Sequence, residues 1–224
     1  MRNPENRMDA RGPGRRCAEC RLAAGLCLCA LVPRLETRTR VVLVMHSLEE
    51  RKTTNTGRLA MRCLPNSAVV LRGDPRGVVE TPRWDEHGEP LLLFPGPDAV
   101  PLETFAGPRA RPLTLIVPDG TWGQAQRARR RVPGLATVPC VSIKRDQPST
   151  YRLRTTPVPG RLSTIEAIAE ALGILEGKSV RAGLLAIFDE MVTRTLRARA
   201  GDDGLGGPHQ AGFEARAAAL RPPA

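Results

Sequence analysis

Leu113-Thr114-Leu115-Ile116-Val117-Pro118-Asp119-Gly120-Thr121-Trp122 is an apolar, β-branched run that ends on an acid, a glycine and an aromatic. A short, continuously apolar run fits a strand buried on both faces. In open α/β sheets ligands bind beyond the carboxyl ends of strands, so Asp119, Gly120 and Trp122 stand where a site belongs. Residues 40–45, 68–71 and 90–94 have the same character, and 136–143 is a fifth candidate strand. The reading is an α/β fold: a parallel or mixed sheet flanked by helices.

Helical signals concentrate toward the C-terminal end. Ser163 and Glu166 have capping-box spacing, and Ile165, Ile168, Ala169 and Leu172 follow at helical spacing. A second helix spans about 179–199, with Leu184, Leu185, Phe188, Met191, Val192 and Thr195 on one face. Residues 124–131 carry Arg127, Arg129, Arg130 and Arg131, which suit phosphate contacts or a solvated face. Asp119 has a structural alternative, since Asp is a preferred N-cap and a helix follows it.

A chain of 224 residues supports one sizeable core. Four regions emerge: a flexible basic arm (1–16), a cysteine knuckle (17–33), an α/β domain (34–200) and a flexible tail (201–224). The net charge of +11 points to a polyanionic partner. Compositional bias explains why only Lys52, Lys144 and Lys178 are lysines, but not the excess of positive charge. Residues 1–16 lack the apolar core of a secretory signal, and no apolar run approaches the roughly 18 residues of a membrane span. The expectation is a cytoplasmic protein with no membrane association and no obligate protein partner.

Cys17, Cys20, Cys27 and Cys29 lie within thirteen residues. Four thiolates so placed can close a tetrahedral shell, each pair supplying two corners from a tight turn. A redox Cys-x-x-Cys or an iron–sulfur cluster also suits the spacing. A shell filled by four cysteines favours structural zinc, which would stabilise a segment too small for its own core. Cys63 and Cys140 stand alone and read as core residues.

Two further stretches are rich in polar chemistry. His46 and Glu49 precede Thr53-Thr54-Asn55-Thr56-Gly57-Arg58, a small-residue loop suited to wrapping a polar ligand. Composition of this kind also describes ordinary loops, and a lone His at a strand end is more often structural. Residues 144–154 place Tyr151 among Arg145, Arg152 and Arg154, mixing charge with a stacking surface as RNA contacts do.

Taken in order, these elements resemble the DTW-domain family, whose Asp-x-Thr-Trp motif is matched by Asp119, Thr121 and Trp122. The resemblance runs over about 17–176. It takes in the four cysteines, the His-x-x-Glu with Thr-Asn-Thr-Gly, Phe94-Pro95-Gly96, and Ser-Thr-x-Glu-Ala from Ser163 to Ala167. Ser47 departs from the proline expected in many relatives. The resemblance implies a SPOUT-like fold with a knotted C-terminal part, which connection rules alone would exclude. It implies transfer of the 3-amino-3-carboxypropyl group of S-adenosylmethionine to a uridine of tRNA, in some relatives in the variable loop, releasing methylthioadenosine. Asp119 is then the expected base or orienting group, with Thr121 and Trp122 beside it. Thr54, Asn55, Thr56, Phe94, Pro95, Gly96, Val117, Pro118, Gly120 and Ser163 are the expected donor contacts. Arg58, Arg127, Arg130, Arg145, Tyr151 and Arg152 are the expected RNA contacts. The competing readings are a SPOUT-type RNA methyltransferase and a non-catalytic, zinc-containing RNA-binding module.

Overall fold

The computed structural model describes residues 16–50, 52–73, 82–144, 149–153 and 162–201. Its centre is a six-stranded sheet: β1 (Arg40–His46), β2 (Ser67–Arg72), β3 (Glu89–Leu93), β4 (Val100–Pro101), β5 (Leu113–Asp119) and β6 (Cys140–Ser142). The strand order is β2-β1-β5-β3-β6-β4, and every pairing is parallel. Of the two sheet types expected, the parallel one forms, because each apolar strand must be covered on both faces.

Among the described residues the helices are α1 (Ser47–Glu50), α2 (Thr56–Cys63), α3 (Trp122–Arg131), α4 (Thr164–Leu175) and α5 (Lys178–Arg199), and α2 to α5 cover the sheet. Strand alternation divides the core. Val41, Leu43 and Met45 of β1 face α2, α4 and α5, together with Leu59, Ile168, Leu172, Leu184 and Phe188. Val42 and Val44 face α3, together with Ala125, Ala128 and Leu135. The cysteine segment joins the first of these cores through Cys20, Leu22, Leu28 and Leu31.

Three sequence expectations change. The strand anticipated over 136–143 is confined to Cys140–Ser142, because Leu135–Thr137 forms a 3-10 turn and Pro139 has no N–H for the ladder. The helix anticipated from 124 begins at Trp122. Its cap is Thr121 rather than Asp119, which is still the last residue of β5. Thr121 Oγ1 accepts from the Gln124 amide at 3.3 Å, and Gln124 Oε1 accepts from the Thr121 amide at 2.6 Å.

Parallel register brings the strand ends level. Met45 of β1 pairs with Asp119 of β5, and His46 pairs with Arg72 of β2. From β1 the chain leaves toward β2 on the α2 face, and from β5 it leaves toward β6 through α3 on the opposite face. The crevice between the ends of β1 and β5 is therefore a topological switch point.

Candidate active site and cysteine cluster

Asp119 sits at this switch point and is only 3% exposed. Asn55 Nδ2 donates to its Oδ2 at 2.7 Å, and Thr164 Oγ1 donates to its Oδ1 at 2.5 Å. Three distant segments thus converge at one carboxylate: the N-cap of α2, the end of β5 and the first turn of α4. Burial raises its pKa against the opposing pull of the Thr164 and Asn55 hydrogen bonds, and the nearby Glu49 charge raises it further. A buried carboxylate with a raised pKa is a stronger base, poised to accept a proton.

Close packing fixes this arrangement. A Cβ on Gly57 would lie 3.1 Å from Asp119 Cγ and 3.0 Å from Leu43 Cδ2, so any side chain there would press on the carboxylate. Gly120 takes a φ of 124°, where side chains are strained, and turns the chain from β5 into α3. Val117 is buried in β5, and Pro118 lies just beyond it, partly exposed.

The expected donor-side residues divide into those that line the crevice and those that build it. Asn55 touches Asp119 and also caps α2, accepting from the Arg58 amide at 2.7 Å. The Thr54 carbonyl accepts from Tyr151 Oη at 3.0 Å, and Thr56 is buried in the first turn of α2. Ser163 is buried, and both its amide and its Oγ donate to Glu166 at 2.7 Å. Glu166 also accepts from Ser149 Oγ at 2.7 Å and the Thr150 amide at 2.8 Å. Burial raises its pKa, but these hydrogen bonds together outweigh burial and hold it below the usual carboxylate range. Glu166 therefore anchors residues 149–150 to the start of α4.

Phe94 is buried, and Trp122 stacks on it with ring centroids 5.0 Å apart and planes 22° apart. Trp122 keeps 44% of its surface exposed. Pro95 and Gly96 continue from Phe94 at the surface. Tyr151 packs its ring against Phe188 of α5 at 5.5 Å.

Arg127, Arg130 and Arg152 are exposed. Arg58 is half-buried and grips the Glu19 carbonyl at 2.7 Å and the Glu50 carbonyl at 3.1 Å. Arg145 lies outside the described residues, as do most of the arm and tail. Sequence reasoning missed Arg72, and it named Glu49 and Thr164 only as members of motifs. Thr164 lies inside the Ser-Thr-x-Glu-Ala motif, which signalled it without giving it a role. Glu49 is 7% exposed and pairs with Lys52 at 2.7 Å. Arg72 donates to the Gln124 carbonyl at 2.9 Å, and burial followed by Arg127 and Arg131 lowers its pKa, marking a positive cluster beside α3.

The cysteines of the N-terminal segment converge as their spacing predicts, with all four Sγ atoms within 4.8 Å of one another. Cys17 and Cys29 are 3.5 Å apart, and Cys20 and Cys27 are 3.7 Å apart. Tetrahedral Zn–S bonds of about 2.3 Å separate sulfurs by about 3.8 Å, so the donor set fits zinc. The hydrogen bond between Cys20 and Cys27 holds the Cys20 thiol low and pushes Cys27 up. Cys63 and Cys140 are buried in the core, apart from this cluster.

No helix among the described residues is long and apolar enough to cross a membrane. No solved structure matches the chain. A tRNA-uridine aminocarboxypropyltransferase 2 of Drosophila melanogaster is 32% identical over 175 residues, covering 74% of this chain and 69% of that protein. A protein of the same name from Macaca fascicularis is 32% identical, with 71% and 56% covered. The tRNA-uridine aminocarboxypropyltransferase A of Arabidopsis thaliana is 27% identical over 221 residues, with 84% and 83% covered. Residues 14–196, which span the cysteine cluster, every strand and the Asp119 crevice, match the DTW domain, and the chain belongs to that family.

Proposed function

We propose that this chain transfers the 3-amino-3-carboxypropyl group of S-adenosylmethionine to N3 of a uridine in tRNA, with the variable loop as the target region. The observation that carries this reading is Asp119, buried at the switch point with a raised pKa and fixed by Asn55 and Thr164. The names of the similar proteins support the substrate and the group transferred.

Asp119 accepts the N3 proton of the uracil imide, and Asn55 and Thr164 keep the carboxylate aimed as it does so. The donor's sulfonium supplies an electrophilic carbon: the N3–C bond forms, the C–S bond breaks, and its electron pair stays on sulfur in neutral methylthioadenosine. The crevice selects which sulfonium carbon meets N3, so positioning decides between aminocarboxypropyl and methyl transfer. Phe94 and Trp122 provide an aromatic wall, while the backbone from Phe94 to Gly96 and from Val117 to Gly120 cradles the nucleoside. Thr54, Thr56 and Ser163 shape the loop and helix start that hold the donor's amino-acid end. Arg127, Arg130 and Arg152, with Arg72 and Arg131 nearby, carry the RNA phosphates. The cysteines hold a structural zinc. The SPOUT-like knot belongs to the same proposal.

The test uses donor labelled separately in its aminocarboxypropyl carbons and in its methyl group, with unmodified tRNA as acceptor. Aminocarboxypropyl label in uridine, with methylthioadenosine released, is the expected result. Methyl label in the RNA, with S-adenosylhomocysteine released, supports the methyltransferase reading instead.

A further inference from the structure

We infer that α2 is a strut through which the cysteine cluster positions Asp119, and that Arg58 is its central positioning residue. The inference rests on Asp119 as the reacting group.

Both ends of α2 make contacts of opposite kinds. At its start, Asn55 caps the helix by accepting from the Arg58 amide at 2.7 Å, while its Nδ2 holds Asp119 at 2.7 Å. At its end, Arg62 Nη2 lies 3.1 Å from Cys29 Sγ. A guanidinium beside a sulfur of the set offsets the negative charge that four thiolates give a zinc site. Between them, Arg58 Nη2 donates to the carbonyl of Glu19, one of the two residues inside the Cys17–Cys20 turn, at 2.7 Å. Arg58 Nη1 meets the Glu50 carbonyl at 3.1 Å, and Arg21 Nη1 reaches the same carbonyl at 3.2 Å. The knuckle, the end of α1 and the start of α2 are therefore tied at one point.

Two features make the tie stiff. Arg21 follows the Cys17–Cys20 turn at a φ of 60°, a left-handed conformation unique among the described non-glycine residues, and its amide donates to the Cys17 carbonyl at 2.8 Å. On the other side of α2, Gly57 packs directly on Asp119. A shift of the knuckle is therefore transmitted to Asn55 and Asp119 without slack. This assigns Arg58 to the cluster rather than to RNA.

The two assignments separate in Arg58→Met, which keeps the aliphatic stem and removes both carbonyl contacts. The strut predicts a kcat lower by about tenfold or more, a KM for tRNA within about twofold, full zinc content, and faster amide hydrogen exchange over residues 55–59. Arg58→Lys, which can reach one carbonyl and not both, is expected to recover only part of kcat. An unchanged kcat with a raised KM and a shallower salt dependence overturns the strut and returns Arg58 to RNA contact. Stripping zinc from the wild-type chain gives a second reading without any variant. Exchange should rise at residues 55–59 as well as in the knuckle, and a rise confined to the knuckle overturns the inference. If the wild type transfers nothing to tRNA, the proposed function fails, while hydrogen exchange still decides the strut.

Discussion

The crevice around Asp119 and the arginine face of α3 lie side by side, yet they are built on opposite principles. Asp119 is 3% exposed, bonded from two directions and packed against a glycine. Arg127 and Arg130 project into solvent from a helix whose only buried residues are Ala125 and Ala128. The first arrangement over-determines one atom's position, as catalysis requires. The second presents charge without fixing it, as suits a polyanion whose phosphates are contacted many at a time. Changes in the crevice should act steeply on turnover, and changes on the arginine face should act gently on affinity.

The largest effect is expected from Asp119→Asn, which keeps the shape and removes the proposed base. Turnover should fall about 10³-fold, read as modified uridine per unit time. Thermal unfolding should show the opposite sign of effect on stability. A carboxyl whose pKa is raised on folding loses stability as pH rises from its ordinary value of 3.8 through its folded value. The variant should therefore melt higher than wild type near neutral pH, with the difference vanishing below 3.8.

Gly57→Ala should come next. Its methyl would press on the Asp119 carboxylate and on Leu43, so kcat should drop about 10- to 100-fold while circular dichroism stays native. A variant with wild-type kcat would show that the crevice tolerates displacement of Asp119.

Glu166→Gln probes stability more than chemistry. It weakens hydrogen bonds to a buried anion and should cost about 2 kcal/mol in denaturant unfolding. Because the folded pKa of Glu166 lies below the ordinary 4.5, its contribution is present above that value and lost as pH falls through the folded pKa. The difference between wild type and variant should shrink accordingly in acid.

Arg127→Ala and Arg130→Ala should give the smallest effects. Each is expected to raise the KM for tRNA a few-fold and to reduce the salt slope of binding by about one, with kcat unchanged. A loss of kcat in either would place that arginine in the crevice and blur the contrast.

The two regions also differed in how plainly the sequence announced them. Asp119 followed a strand whose burial was evident from its composition, so its place at a carboxyl end could be read directly. The cysteine cluster was equally plain, because four ligands in one short segment need no knowledge of the fold. Thr164 could not be foreseen as Asp119's partner, since 45 residues and a change of element separate them. Arg72 was hidden for the same reason, and Glu49 stood in a motif without a role: their importance comes from which strands become neighbours. Asp119 and Thr121 both had cap chemistry, and strand pairing decided between them by extending β5 through Asp119. β4, with two residues, has too little pattern for periodicity to reveal.

The most direct test of Asp119 as the base is the pH dependence of single-turnover transfer by wild type and by Asp119→Asn. The account predicts that the wild-type rate falls in acid with a midpoint above the ordinary 3.8, and that this limb disappears in the slow variant. Near-wild-type turnover by Asp119→Asn, or an acid limb that persists in it, would contradict the assignment.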